Sequence, residues 1–313
     1  MDAAAAPLVS VVVPTYNRFD TTCRAVDSVL AQTLTELEVI VVDDTSTDGS
    51  PGQLLARYRD EPRVRVASTG RNSGGGTARN LGAEQARAPY IAFLDSDDVW
   101  APDKLAVQLE LHRREAARSP APLLVYAAST VEYPPPGGHI RPDRPLRPGE
   151  RVEEYIFCDE QDIQTSGWFL STADFARVRF TDGLRRHQDL DLCIRAQALG
   201  FRFVMSEQPL YARLHGADMV HVGKIRDDGV SSAWIERMKP LVTRRAYHHF
   251  RLFCILPALQ DLNAPLCRRL CVDALCDGRF IALARIGWQQ LKHQTRPRRQ
   301  HVKRRLKRLF TGA

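Results

Sequence analysis

Three short, β-branched apolar runs that each end in a polar loop are the strongest constraint on how this chain folds. Leu8-Val9-Ser10-Val11-Val12-Val13 runs into Pro14-Thr15-Tyr16-Asn17-Arg18, and Leu37-Glu38-Val39-Ile40-Val41-Val42 runs into Asp43-Asp44-Thr45-Ser46-Thr47-Asp48-Gly49. Tyr90-Ile91-Ala92-Phe93-Leu94 runs into Asp95-Ser96-Asp97-Asp98. Runs of this length and composition read as strands buried on both faces. Between the first two, Ala25, Val26, Val29 and Leu30 share one side of a helix expected over about 19–32. The β-α-β unit then recurs: a strand at Val64-Arg65-Val66-Ala67, a polar turn from Asn72 to Gly82, a helix to about Arg87 and the Tyr90 run. Three polar loops should therefore converge on one edge of a parallel sheet, where open α/β folds take their ligands. Such an edge suits a nucleotide.

The third loop carries the most chemistry. Clustered carboxylates at the end of a buried strand offer hard oxygen ligands to Mg²⁺ or Mn²⁺ holding a diphosphate. An Asp-x-Asp alone is weak, because ordinary Asp usage produces about one by chance in a chain this long. Asp189-Leu190-Asp191 is a second. Gly74-Gly75-Gly76 does not make a dinucleotide fingerprint, since Arg79 stands where its third glycine should be, and no P-loop Gly-Lys-Ser/Thr occurs. These glycines are expected to let the backbone approach a donor.

Taken in order, four blocks carry a resemblance. They are Val13-Pro14-Thr15-Tyr16-Asn17-Arg18; Val42-Asp43-Asp44 with Ser46 and Asp48-Gly49-Ser50; Asn72 and Gly74 with Ala78-Arg79-Asn80 and Gly82; and Leu94-Asp95-Ser96-Asp97-Asp98 with Trp100 and Pro102-Asp103-Lys104-Leu105. Over residues 8–105 the chain resembles the nucleotide-binding half of a non-processive bacterial glycosyltransferase of family 2 with the GT-A fold. Past residue 110 the likeness narrows to two short stretches. The implied fold class is α/β: a Rossmann-like, mixed but mostly parallel sheet flanked by helices, followed by a C-terminal helical extension. The implied domains are a GT-A catalytic domain over 1–225, with a nucleotide half at 1–110 and an acceptor half at 111–225, and a basic helical extension over 226–313.

The resemblance also implies roles. Pro14, Thr15 and Tyr16 would lie against the nucleoside with Arg18 nearby, although Pro14 and Asn17 could equally form a turn that ends the strand. Asp44 matches the position that pairs with a pyrimidine ring, while Asp43 would hold the loop. Arg79 matches a position beside the diphosphate, where a guanidinium fork suits an anion. Asp97 matches the metal ligand and Asp95 the carboxylate nearer the ribose or metal, with Ser96 between them. Asp98 reads either as support for a ligand or as the cap of a helix starting near Pro102. In the second half, Arg185-Arg186-His187-Gln188-Asp189-Leu190-Asp191 resembles the family's Glu-Asp-x-Asp-Leu segment, so Asp189 aligns with the catalytic base. An N-cap is the alternative for Asp189; Gln188 departs from the usual Glu, and Asp191 reads as structural. Tyr211-Ala212-Arg213-Leu214-His215-Gly216 resembles the family's late Tyr-x-Arg-x-His, which would put Arg213 on the diphosphate and His215 on the metal. Ser166-Gly167-Trp168 falls where relatives contact the sugar or acceptor, and Trp168 could stack on a sugar or be core.

The implied function is metal-dependent, inverting transfer of a sugar from a nucleotide-diphospho-sugar, a UDP-sugar above all, to an acceptor hydroxyl. The partners would be that donor and a saccharide or lipid-linked acceptor in bacterial surface polysaccharide or lipopolysaccharide assembly; the cofactor would be Mn²⁺ or Mg²⁺. A binding module without transfer would lack the base. A nucleotidyltransferase would open with a Gly-rich, Lys- or Arg-containing loop where Pro14-Thr15-Tyr16-Asn17 stands.

Composition adds location. The seven cysteines form no regular framework and read as reduced thiols, and Cys267, Cys271 and Cys276 match no standard zinc spacing. The start at Met1 lacks the marks of a signal peptide, and no run reaches the ~18 apolar residues of a membrane span. Nor is there the Gln-x-x-Arg-Trp motif of processive synthases. Tyr133 through Gly149 is rich in proline and glycine and reads as an irregular loop, either an acceptor-side flap or a surface excursion. The net charge of +7 comes from the tail. Eleven of the 44 Lys and Arg lie after Asp277, where no Asp or Glu occurs, so the preceding residues carry 33 bases against all 37 acids. A mildly acidic body argues against nucleic acid as a partner. In the tail, Val302, Leu306 and Leu309 recur at helical spacing among Lys303, Arg304, Arg305, Lys307 and Arg308. That pattern suits an anionic membrane surface and points to a cytoplasmic protein held on the inner face of the cytoplasmic membrane. Deleting residues 296–313 should abolish sedimentation with anionic liposomes and leave donor hydrolysis intact; equal liposome binding by the truncated chain would refute the anchor.

Overall fold

The computed structural model describes residues 6–132, 139–214 and 229–255. Contacts divide the chain into two compact units, Met1–Val222 and Gly223–Ala313. In the first, the expected alternation is present: β1 (Val9–Thr15), α1 (Phe19–Leu30), β2 (Leu37–Asp43), α2 (Ser50–Arg57), β3 (Val64–Ser68), α3 (Gly75–Glu84) and β4 (Tyr90–Phe93). These strands pair in parallel in the order β3-β2-β1-β4. Every residue of β1 and β2 is buried, as central strands covered on both faces must be. Val9, Val11, Val13, Val39 and Val41 pack in one cluster with Ala25, Val26 and Val29 of α1. On α3, Gly82 faces Val12 and Val42.

The polar members of the β1 and β2 runs are absorbed at the opposite end of the strands from the loops. Ser10 Oγ donates to Glu38 Oε1 at 2.7 Å, and Arg65 and Arg87 donate to Glu38 Oε2. Burial raises the Glu38 pKa, but these hydrogen bonds outweigh it and hold the carboxyl below its ordinary range.

The chain continues through β5 (Asp98–Trp100), α4 (Lys104–Arg118), β6 (Leu123–Glu132), β7 (His139–Arg141), α5 (Val152–Phe157), a 3-10 turn at Thr165–Gly167, β8 (Phe169–Ser171), α6 (Thr172–Val178), α7 (Gln188–Ala198) and β9 (Arg202–Leu214). Among the described residues these complete one sheet in the order β3-β2-β1-β4-β8-β6-β9-β5, with β7 on β6. β8 runs antiparallel to both β4 and β6, β9 runs parallel to β6, and β5 runs antiparallel to β9. β5 was not expected. Asp98 therefore does not cap the following helix: it opens β5, and the N-cap position of α4 is Asp103, whose side chain makes no cap bond.

The second unit contains α8 (Val230–Met238), α9 (Arg244–Phe250) and a π-turn at Arg251–Ile255. Trp234 and Phe250 meet with ring centroids 5.1 Å apart. Cys267, Cys271, Cys276 and the basic tail lie outside the described residues. Among the described residues no helix is long and apolar enough to cross a membrane.

Two glycines give opposite expectations for one substitution. A Cβ on Gly82 would lie 2.4 Å from Val12 Cγ1 and 3.1 Å from Val42 Cγ2, whereas one on Gly52 in α2 would meet nothing within 4 Å. Gly82→Ala should destabilise by about 1–2 kcal/mol, overpacking outweighing the gain in helix propensity, and Gly52→Ala should stabilise by about 0.4–1 kcal/mol. Urea denaturation of the two variants checks both signs.

Candidate active site

At the carboxyl end of the sheet the first two loops are tied to each other by side chains. Asn17, at φ +51°, accepts from Thr47 N at 2.7 Å on Oδ1 and donates its own N–H to Ser46 Oγ at 2.7 Å. Asp43 accepts from Ser46 N at 2.9 Å. Asp44 reaches the third loop: its carboxylate accepts from Ser73 N (2.8 Å), Gly74 N (2.7 Å) and Thr69 Oγ1 (2.9 Å). Both aspartates thus hold loops. Asp44 keeps one free acceptor direction, on Oδ2. Pro14 and Thr15 are buried, with Thr15 Oγ1 2.7 Å from Thr22 Oγ1, while Tyr16 is 43% exposed at the mouth.

The carboxylate loop lies beside them. Asp98 N donates to Asp95 O at 3.0 Å, turning the chain so that the three carboxylates are neighbours. Arg18 Nη1 sits 2.6 Å from Asp97 Oδ2, and Arg79 Nη2 pairs with Asp95. Ser96 is buried. Asp98 is buried as well; burial, then the charges of Asp95 and Asp97, push its pKa well above the carboxylate range, against the Ser166 hydroxyl and Arg213. Among the described residues no three His, Cys, Asp or Glu side chains are grouped to hold a metal, and His215 lies outside them. The set still fits Mg²⁺ or Mn²⁺, which are commonly held by one or two carboxylates, with substrate phosphates and water completing the shell. Asp95 and Asp97 would be those two.

From the second half, α7 brings Gln188 and Asp189 to the same edge. The N-cap position belongs to His187, at φ +60°, so Asp189 is not the cap; it stands in the first turn, where its Oδ1 accepts from Leu190 N at 2.9 Å. Dense surroundings raise its pKa, and Asp95 adds to that, while the Leu190 N–H and Arg79 pull it down. Asp191 is a structural group, accepting from Thr181 Oγ1 at 2.6 Å and Arg195 Nε at 2.8 Å. The Arg79 guanidinium lies over Phe180 and its Nη1 donates to Gln188 Oε1 at 2.8 Å, linking Asp95 to the residue next to Asp189. The glycines serve that link. A Cβ on Gly75 would lie 3.0 Å from Arg79 Nη1, and one on Gly76 would lie 3.4 Å from Gln188 Cδ. The space they leave is filled by Arg79 and Gln188 rather than left open to a donor.

Arg213, opposite Asp98 across β5 and β9, pairs with Asp162 at 3.0 Å. Burial raises the Asp162 pKa against the pull of Arg213. No motif signalled Asp162 or the part played by Gln188; they stand out only as the folded partners of Arg213 and Arg79. Trp168 is corrected. It is fully buried, stacks on Phe180 at 5.8 Å and 8°, and donates Nε1–H to Ile163 O, so neither face is open to a sugar.

The chain matches the description "Glycosyl transferase family 2" over residues 10–174, more than half its length. It belongs to that family. Amylovoran biosynthesis glycosyltransferase AmsB of Erwinia amylovora is 34% identical over 251 residues, 78% of this chain and 82% of the relative. Among solved structures, S. aureus TarS 1-349 in complex with UDP-GlcNAc aligns with a TM-score of 0.61 at 19% identity, over 84% of this chain and 79% of that one. Mannosyltransferase PcManGT from Pyrobaculum calidifontis in complex with GDP-Man and Mn2+ aligns with a TM-score of 0.54 at 17% identity, over 95% and 84%. At such identities the likeness speaks to fold, and the fold is the expected GT-A arrangement.

Trp168→Ala should cost about 3–5 kcal/mol of stability, as loss of a core aromatic does. Normal stability with a selectively raised acceptor KM would restore the sugar-stacking role.

Proposed function

We propose that this glycosyltransferase catalyses metal-dependent, inverting, non-processive transfer from a UDP-sugar to an acceptor hydroxyl in bacterial surface polysaccharide assembly. The observation that carries the reading is the pairing of a first-turn carboxylate of raised basicity, Asp189, with the Gln188–Arg79–Asp95 chain that leads to the carboxylate loop. Amylovoran biosynthesis by a relative and UDP-GlcNAc in a structural neighbour support the setting and the donor, and Mn2+ in another supports the cofactor.

In this mechanism Tyr16 faces the base and the remaining Oδ2 acceptor direction of Asp44 meets a pyrimidine N–H. Arg79, Arg213 and Arg18 direct N–H groups at the diphosphate oxygens, where a fork of donors matches the anion. Asp97 and Asp95, with His215, would hold the Mn²⁺ or Mg²⁺. The ion supplies Lewis-acid stabilisation of the leaving diphosphate. Asp189 takes the proton from the acceptor hydroxyl. The freed oxygen attacks the anomeric carbon from the face opposite the diphosphate, the bond to the diphosphate oxygen breaks, and the configuration inverts. Arg18 must share or release Asp97 when a cation enters, which links donor and metal binding.

The test is product analysis with a UDP-sugar, an acceptor and Mn²⁺. Free UDP should appear in step with the glycosylated acceptor; UTP formed from added pyrophosphate, or binding without turnover, would overturn the reading. Asp189→Asn should keep UDP binding and lose roughly 10²-fold or more in transfer. Because Asp189 must be ionised to act and its pKa is raised, the rate should fall on acidification at a pH above the ordinary Asp value of about 3.9. Excess EDTA should abolish turnover, as should Asp97→Ala.

A further inference from the structure

Ser166 lies in the half of the catalytic domain that its motif would assign to sugar contact, yet it has no exposed surface. Its hydroxyl is spent on the carboxylate loop. Ser166 Oγ accepts the Asp95 N–H at 3.0 Å and donates to Asp98 Oδ2 at 2.6 Å. The first contact follows on from the β4 ladder: Leu94 N donates to Val12 O, and the next N–H, that of Asp95, lies past the end of β4 and finds Ser166. The second gives the buried Asp98 carboxyl a donor. One hydroxyl therefore grips both ends of a four-residue loop whose third member is Asp97.

The grip is only as firm as what holds Ser166, and three side chains do so. Trp100 Nε1 donates to Ser166 O at 2.8 Å, Gln108 Nε2 donates to Gly167 O at 2.7 Å, and Lys104 Nζ lies 3.5 Å from Trp168 O. Lys104 is wholly buried, 2.6 Å from Gln108 Oε1 and 3.8 Å from the centre of the Trp100 ring. A Cβ on Gly167 would lie 2.9 Å from Ala127 O and from Tyr211 Cε1, so the turn is also pressed against β6 and β9. The anchors Trp100, Lys104 and Gln108 follow the carboxylate loop in sequence, and Ser166 answers from about seventy residues further on.

We propose that Ser166 is a positioning residue of this glycosyltransferase: its buried hydroxyl ties Asp95 and Asp98 to the acceptor half and so sets where Asp97 stands for the metal-bound donor diphosphate. The inference rests on the metal-dependent reading above. Ser166 touches neither donor nor acceptor; it acts through the loop. A hydroxyl with one donor and two acceptor directions suits the task, since alanine would leave the Asp95 N–H and the Asp98 carboxyl without a partner inside the protein.

The experiment measures Mn²⁺ binding to the full chain in the presence of saturating UDP by electron paramagnetic resonance, alongside UDP binding without metal and the melting temperature. In Ser166→Ala, Mn²⁺ affinity should fall about 10–100-fold, the range for loss of a group that orients a metal ligand, while metal-free UDP affinity stays within about twofold. A merely structural role would lower the melting temperature and leave Mn²⁺ affinity of the folded protein unchanged, and that result overturns the proposal. Trp100→Phe removes the indole N–H that holds the Ser166 carbonyl while keeping an aromatic ring beside Lys104, and decides the matter if Ser166→Ala does not fold. A several-fold loss of Mn²⁺ affinity supports the proposal; an unchanged affinity overturns it. If the parent protein binds no Mn²⁺ with UDP, the metal reading itself falls and takes this one with it; if the parent binds and the variants match it, only the role of Ser166 is lost.

Discussion

A single guanidinium, that of Arg79, joins what would otherwise be two separate halves of a site. It is buried on α3, stacked over Phe180, and divided between Asp95 at the end of β4 and Gln188 at the start of α7. Burying a guanidinium costs least when its donors are taken up, as Nη1 and Nη2 are here although the buried Nε is not, and stranding one in a fully buried pair costs about 3–5 kcal/mol. Asp95 keeps a third of its side chain in solvent, so the cost here is smaller. The neighbourhood is arranged around this one group. Gly75 and Gly76 leave room for it, Gln188 Nε2 is held by Leu184 O at 2.7 Å, and Arg185 braces the same loops by donating to Asn72. A neutral Gln at 188 leaves Asp95 as the carboxylate paired with Arg79.

The carboxylate loop poses the complementary problem of excess negative charge. Three aspartates within four residues cannot all be ionised at low cost in a partly buried site. The protein distributes the load: Arg18 faces Asp97, Arg79 faces Asp95, and burial drives Asp98 toward its neutral form beside Ser166. A divalent cation bound with a diphosphate would relieve the remaining repulsion. The same geometry that strains the loop electrostatically is what would suit it to a cation.

Beneath the loop the anchoring is dry. Burial lowers the Lys104 pKa well below the usual lysine range, and the amine donates to Gln108 Oε1 beside the Trp100 ring. Trp168, Phe180 and Phe93 fill the space behind. Function at the edge depends on this packing because a polar loop without it would be free to take up other shapes.

The sequence by itself determined the alternation of β1 to β4, their burial, and the loops that bear Tyr16, Asp44, Arg79 and the Asp95–Asp98 cluster. Those features are local: period, branching and turn residues act within a few positions of the chain. Tertiary structure alone decided the rest. The three-residue β5 strand exists because β9 is there to pair with it, and Asp98 became a buried partner of Ser166 rather than a helix cap. Trp168 is core because Phe180 covers its face, a contact no spacing encodes. Gln188, Asp162 and Ser166 take their meaning from partners 50 to 110 residues away, Arg79, Arg213 and Asp98. Hydrogen bonds and ion pairs across such distances depend on where the sheet places its strand ends, which only the folded chain specifies.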